Sequence, residues 1–370
     1  MTASRVGRAV QLLPRLGTTG IGSLPHTQLE LGLQAALQVD IPYLPQLPMA
    51  NPGEYMIPAA LERLPGLKVD AEGGVLIDHD LWSAGREAFS QEVEAALLSG
   101  DLRAFEPTPN SCRAWNPFLF EVEHRKLMLA KVHLAGPATV RWVAKTSRGD
   151  VASDVALLDQ QIFRLLLARS LAMVKAVRRA GATPLFYVDE PGLYALDRSD
   201  ARHVVVLQEL RLLVTALQRE GALVGLHCCS NTDWSLLFDL GLNLLSVDCR
   251  LSLDAVLDGG EGLLRFLDGG GALSLGIIPT DVSSTYRVEE LVDAVETSLR
   301  STFKDERTFR EVASRSLLTP ACGMALRSVP EVEQTFAELR QAQARFRALL
   351  GVEEGQPGEA GEPGPATGTA

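Results

Sequence analysis

The sequence predicts an α/β protein of the (β/α)8 TIM-barrel type, and three observations carry that prediction. From Gly17 onward, short apolar runs alternate with helical patterns. Eight such runs end near residues 23, 45, 135, 188, 226, 247, 277 and 321, the number that closes a barrel of this kind. Residues able to do chemistry gather at the ends of those runs, where barrel enzymes carry their sites. The rival architecture, a doubly wound open sheet, would show a glycine-rich phosphate turn after its first strand. Gly20-Ile21-Gly22-Ser23-Leu24-Pro25 lacks the third glycine of that turn.

The first run ends in Ser23-Leu24-Pro25-His26, and Thr27 is placed to cap an amphipathic helix reaching about Val39. A short extended segment follows, Ile41 to Leu47, closed by prolines. Residues 51–126 break the rhythm and read as an insertion between the second and third strands, with 73–78 resembling half of a hairpin. The rhythm returns at Lys131-Val132-His133-Leu134-Ala135-Gly136-Pro137, with a helix over about 152–180 and a stop at Gly181. Strands are then predicted at 184–191, 222–229, 244–249, 272–280 and 317–323. Helices lie between them over about 201–219, from Thr232 or Asp233 onward, over 253–266 and over 288–303. Ser328 and Glu331 have capping-box spacing, with Pro330 in the first turn of a last helix to about Leu350. The organisation is therefore an N-terminal segment 1–16, a single catalytic barrel 17–350, and a Gly/Pro-rich tail 351–370 that cannot bury a core.

At 370 residues the chain can bury a large core, and 46% hydrophobic residues is a globular composition. No apolar run approaches the length of a membrane span. The apolar patch among Arg5, Arg8 and Arg15 is too short for a signal-peptide core and is cut by Pro14. Five cysteines, two of them adjacent, do not form a disulfide framework, so a reducing, cytoplasmic setting is expected. A net charge of −11 argues against nucleic acid or an anionic membrane as partner, because neutralising phosphates takes clustered Lys and Arg. A small-molecule substrate fits best.

The stretch Gly225-Leu226-His227-Cys228-Cys229-Ser230 carries the chemistry. Successive strand residues point to opposite faces, so His227 and Cys229 share one and Cys228 takes the other. An imidazole and a thiolate converging at a strand end are half of a zinc site. Cys322, and Asp248 as a fourth group, stand at other strand ends and can complete it; Asp248 can equally cap the next helix. Asp189 and Glu190 also end a strand, and two carboxylates there cost desolvation unless something uses them, such as a substrate ammonium. His26 reads as hydrogen-bonded to a neighbouring loop. His79, His124, His133 and His203 are isolated and read as structural or surface residues, and Cys112, Cys228 and Cys249 as ordinary packing residues.

These residues resemble a known family. The motifs are Ile21-Gly22-Ser23-Leu24-Pro25-His26, Gly136-Pro137-Ala138-Thr139, Val188-Asp189-Glu190-Pro191, His227-x-Cys229 and Pro320-Ala321-Cys322-Gly323. In order and over about 17–350, they resemble the catalytic barrel of cobalamin-independent methionine synthase in a short core form. Its superfamily also holds uroporphyrinogen decarboxylase and zinc-dependent corrinoid methyltransferases. The resemblance implies a zinc ion (Zn2+) held by His227, Cys229, Asp248 and Cys322, with Asp where the family usually has Glu. It also implies that Ile21, Ser23 and Asp189, with Glu190 beside it, bind the amino-acid part of homocysteine, whose zinc-bound thiolate accepts a methyl group to give methionine.

Three departures bear on the methyl donor. The N-terminal half of the full-length family enzyme has no counterpart in these residues, so a polyglutamylated folate has less to hold it. The seventh strand reads Ile278-Pro279-Thr280, without the family's acid for protonating methyltetrahydrofolate. Trp142 stands one position off the family's tryptophan. Methylcobalamin, free or on a corrinoid protein, needs no such acid and is the favoured donor. The alternatives are methyltetrahydrofolate as donor, another thiol acceptor such as coenzyme M, or a non-catalytic barrel that binds zinc or an amino acid. Coenzyme M's sulfonate would call for Arg or Lys where Asp189 and Glu190 stand.

Overall fold

The computed structural model describes residues 12–197, 199–281 and 285–352. The N-terminal segment 1–16 lies largely, and the tail 351–370 almost wholly, outside the described residues. Six parallel strands form the central sheet, in the order β3 (Leu129–Ala135), β5 (Thr183–Asp189), β6 (Leu223–Cys228), β7 (Leu244–Asp248), β8 (Ala272–Ile278) and β9 (Leu317–Pro320). Two extended segments, 17–23 and 41–46, close it into the predicted barrel. On one edge the Lys131 N–H donates to the Pro42 carbonyl at 2.8 Å and the Leu44 N–H to the Lys131 carbonyl at 2.9 Å. On the other, the Thr19 N–H donates to Leu318 at 3.1 Å and the Leu318 N–H to Gly17 at 2.9 Å. The two segments join through Gln46, whose N–H donates to Gly22 at 3.2 Å while its carbonyl accepts from Leu24 at 2.9 Å.

Between residue 46 and β3 come α2 (Met56–Leu61), the antiparallel hairpin β1 (Leu67–Val69) and β2 (Val75–Ile77), α3 (His79–Ser99) and α4 (Trp115–His124). β2 also pairs in parallel with a short strand β4 (Lys145–Thr146), so this region is bonded to the loop that follows β3. The helices on the barrel's outside include α5 (Pro137–Val143), α6 (Ala156–Arg179), α7 (Ala201–Arg219) and α12 (Val329–Leu350). The capping box of α12 forms as the spacing requires, with Ser328 accepting from the Glu331 N–H.

Three predicted helices differ from expectation. The first, α1, runs over Leu29–Ala36 with Gln28 and not Thr27 at its N-cap. The helix predicted after the His-Cys-Cys strand is instead a pair of 3-10 turns, Trp234–Leu236 and Phe238–Leu240. Residues 229–243 separate the strands there, and Gly241 at φ 82° ends the second turn. The helix predicted over 253–266 is two, Cys249–Leu257 and Gly260–Asp268, broken where Gly260 takes φ 53°.

Inside the barrel, residues alternate as the pleat demands. At the strand beginnings Ile41, Leu129, Leu185, Leu223, Leu244 and Leu317 belong to a separate apolar cluster that plugs the amino end. Two residues further along, the inward positions turn polar: Lys131, Tyr187, Ser246, Ser274 and Thr319, all buried. Two further still stand His133, Asp189, His227 and Asp248, at the opposite end.

Candidate metal and substrate site

A cavity of about 800 Å³ opens at the carboxyl ends of the strands. Ile21, Ser23, Asp189, His227, Cys229, Asp248 and Cys322 all line it, and Glu190 does not.

His227, Cys229 and Cys322 offer ligand atoms that lie within 4.8 Å of one another. Tetrahedral zinc with the usual bond lengths puts N and S ligands roughly 3.5–3.8 Å apart, so the trio has only to close slightly around an ion. Ser246 bonds Nδ1 of His227 at 3.0 Å, and Nε2 is buried with no hydrogen-bond partner. A metal ligand is built this way, one ring nitrogen oriented and the other left for the ion. The neighbouring Cys229 thiol draws the Cys322 thiol down, against burial and with help from His227, and the same interaction pushes Cys229 up. A soft N,S,S donor set with one thiolate already favoured fits zinc.

Asp248 stands outside the trio. Its Oδ1 accepts from the Arg250 N–H at 2.9 Å and the Leu251 N–H at 3.3 Å, capping the helix Cys249–Leu257. Those bonds hold the carboxylate toward the helix terminus.

Asp189 and Glu190 separate sharply. Asp189 Oδ2 meets His133 Nδ1 at 2.8 Å, while its Oδ1 is buried with no hydrogen-bond partner. Burial works to raise the Asp189 pKa, but the charge and hydrogen bond of His133, with His227 and Lys131, outweigh it and hold the carboxyl below its ordinary value. Glu190, which the sequence reading placed beside Asp189 at the substrate, is not among the residues that line the cavity. As the next residue it points the other way, wholly buried, and grips the start of α5. It accepts from the Ala138 N–H at 2.9 Å, the Thr139 N–H at 2.8 Å and the Thr139 hydroxyl at 2.7 Å. Burial raises its pKa to about 7 despite those three bonds.

Strand 17–23 reaches the site through close packing. A Cβ on Gly22 would sit 2.2 Å from Cε1 of His133, and one on Gly323 would sit 2.3 Å from Oγ of Ser23. Side chains at either position would push Ser23 and Cys322 apart or drive His133 off Asp189. The Ile21 carbonyl accepts from Nζ of Lys131 at 2.5 Å. That ammonium lies over the rings of Tyr187 and Tyr43, at 4.7 and 5.8 Å from their centroids, and burial pulls its pKa down to about 8 against the pull of Asp189.

Sequence reasoning missed His133 and Lys131. The available signal was the alternation in Lys131-Val132-His133, which puts both on the face opposite Val132. It also missed Asp281, a carboxylate in the cavity lining one residue past Thr280 and 3.2 Å from Arg250, so an acid does follow the seventh strand. Trp142 packs against His203, with ring centroids 4.3 Å apart and planes tilted by 41°, and is not among the residues lining the cavity. His26 is buried without a partner for Nδ1.

No family model and no curated protein sequence matches the chain. Among solved structures, it is similar to a methyltransferase from Methanosarcina mazei, with TM-score 0.56 and 15% identity over 93% of this chain and 98% of that one. A B12-independent methionine synthase from Shewanella sp. W3-18-1, solved in complex with selenomethionine, aligns with TM-score 0.47 and 16% identity over 64% of this chain and 68% of that one. At such identities the likeness is one of fold, and the Methanosarcina structure shares this barrel along nearly its whole length.

Proposed function

We propose that the protein is a zinc-dependent methyltransferase that methylates the thiol of homocysteine to give methionine, with methylcobalamin or a corrinoid protein as donor. The observation that carries the reading is a single cavity holding both an N,S,S trio and an unpartnered carboxylate oxygen. Bound zinc supplies one thing, a substrate thiol kept as thiolate at neutral pH although its free pKa is about 8.5.

The chain's own residues do the rest. His227, Cys229 and Cys322 would hold the ion, with Ser246 orienting the imidazole. Oδ1 of Asp189 accepts a hydrogen bond from the substrate ammonium, which sets the amino acid at a fixed distance from the trio. Apolar side chains at the mouth, among them Met56, Leu251 and Leu326, exclude water around the transferring methyl group. The sulfur–carbon bond forms as the cobalt–carbon bond breaks. The electron pair of the broken bond stays on cobalt, and the thiol proton leaves to solvent.

The test follows the visible absorbance of methylcobalamin mixed with zinc-loaded protein and homocysteine, with mass detection of methionine. Zinc-dependent loss of the methyl-cobalt band with methionine formed, abolished by Cys322→Ser, is the expected result. Bound zinc and bound homocysteine without turnover on any donor would replace this reading with that of a binding protein. Asp281 favours one second reading, a donor that needs protonation at nitrogen, and faster turnover with methyltetrahydrofolate would establish it.

A further inference from the structure

His133 is an inward residue of β3; its register partner across β5 is Tyr187, and Asp189 stands two residues further along β5 on the same face. Its two ring nitrogens are both spoken for. Nδ1 meets the Asp189 carboxylate at 2.8 Å and Nε2 meets the Leu44 carbonyl at 3.2 Å. One edge of the ring is thus held against a carboxylate and the other against a carbonyl. The backbone of Gly22 presses on its edge, close enough that a Cβ there would lie 2.4 Å from Nε2. The imidazole is thus clamped between the first stave, the second stave and Asp189, and it lies 3% exposed in the wall of the cavity. One Asp189 oxygen is consumed by this clamp and the other is held, buried and unpartnered. An unpartnered buried carboxylate oxygen is costly unless a ligand completes it.

We propose that His133 is a positioning residue of the amino-acid subsite: it fixes the rotation of Asp189 so that a single carboxylate oxygen receives the substrate's ammonium. This rests on the reading above, in which Asp189 meets that ammonium. Selectivity for an α-amino thiol over the same thiol without its amine then depends on a residue that never touches the substrate. Without the clamp the carboxylate swings, and the amine loses its fixed acceptor while the thiol end is unaffected.

The experiment measures dissociation constants by calorimetry for L-homocysteine and for 4-mercaptobutyrate, its des-amino analogue, on zinc-loaded protein. Wild type, His133→Leu and His133→Asn are compared, with zinc content and melting temperature measured on each. Asn retains a donor near the position of Nδ1 and Leu retains none. The expected result is a preference for homocysteine that falls about tenfold or more in His133→Leu, through weaker homocysteine binding alone, and returns in large part in His133→Asn. A wild-type preference in a folded, zinc-loaded His133→Leu protein would overturn the proposal while leaving the methyltransferase reading in place. Failure of the wild-type protein to bind homocysteine would overturn both. Should His133→Leu not fold, His133→Asn decides: loss of the preference in that variant, despite its donor, would contradict the clamp.

Discussion

The two ends of the barrel are built from the same staves and treat polarity in opposite ways. At the amino end Leu129, Leu185, Leu223, Leu244 and Leu317 fill the interior with apolar side chains. Four residues along the same strands, the interior carries His133, Asp189 and His227, and two of these hold buried atoms without partners. Burying polar atoms unpaired costs stability. The layer between the two ends also holds unpartnered hydroxyls, at Tyr187, Ser274 and Thr319, whereas Asp189 and His227 at the carboxyl end line a cavity in which something else can complete them.

That contrast breaks first at its extremes. His227→Ala should weaken zinc binding by about a hundredfold or more, beyond the usual cost of losing an outer-shell partner, and leave the melting temperature of the metal-free protein nearly unchanged. Leu244→Ala, on the next stave at the other end, should do the reverse. It should cost about 2–5 kcal/mol in denaturant unfolding through lost packing and a residual cavity, with zinc affinity as in the wild type. A loss of zinc affinity in Leu244→Ala would mean that the two ends are not separable.

Glu190 sharpens the comparison because it is polar, buried and at the carboxyl end, yet fully bonded. Its pKa is raised in the fold, so the protonated form is favoured there. The stability it contributes is present below its ordinary pKa of 4.5 and is lost as pH rises through about 7. Unfolding of the wild type and of Glu190→Gln, compared at pH 4.5 and pH 8, should show the wild type losing about 3 kcal/mol relative to the variant over that interval. A pH-independent difference would mean that its three hydrogen bonds hold the carboxylate ionised throughout. Methionine formation by Glu190→Gln should remain, since the side chain does not line the cavity.

The smallest effect belongs to Ser246. Its hydroxyl only orients His227, so Ser246→Ala should weaken zinc by about tenfold, and a zinc-chelator competition assay reads it. An unchanged affinity would mean that packing alone sets the ring.

Much of this was legible in the sequence, and the exceptions have physical causes. Local pattern carries the six strands of the central sheet and the cap of α12, because those are set by residues near each other. The first two staves are recognisable as extended, although only backbone bonds to Lys131 and Leu318 make them part of the barrel. His227 lies in β6 and Cys229 directly follows its last residue, two positions on, so their convergence follows from the pleat, and Cys322 stands at another strand end. His133 looks isolated because its partner Asp189 is 56 residues away, and Lys131 because its acceptor on Ile21 is 110 residues away. Glu190 was within reach: the alternation that separates Cys228 from Cys229 also separates Glu190 from Asp189. Broken periodicity at Gly260 splits a helix that hydrophobic spacing alone runs together.

The most direct test of the account is zinc K-edge X-ray absorption on the protein before and after L-homocysteine is added. The account predicts a bound zinc with one imidazole and two sulfur ligands from the protein, and a third sulfur at about 2.3 Å once homocysteine is present. An unchanged coordination shell after homocysteine binds, or a protein that takes up no zinc at all, would contradict it.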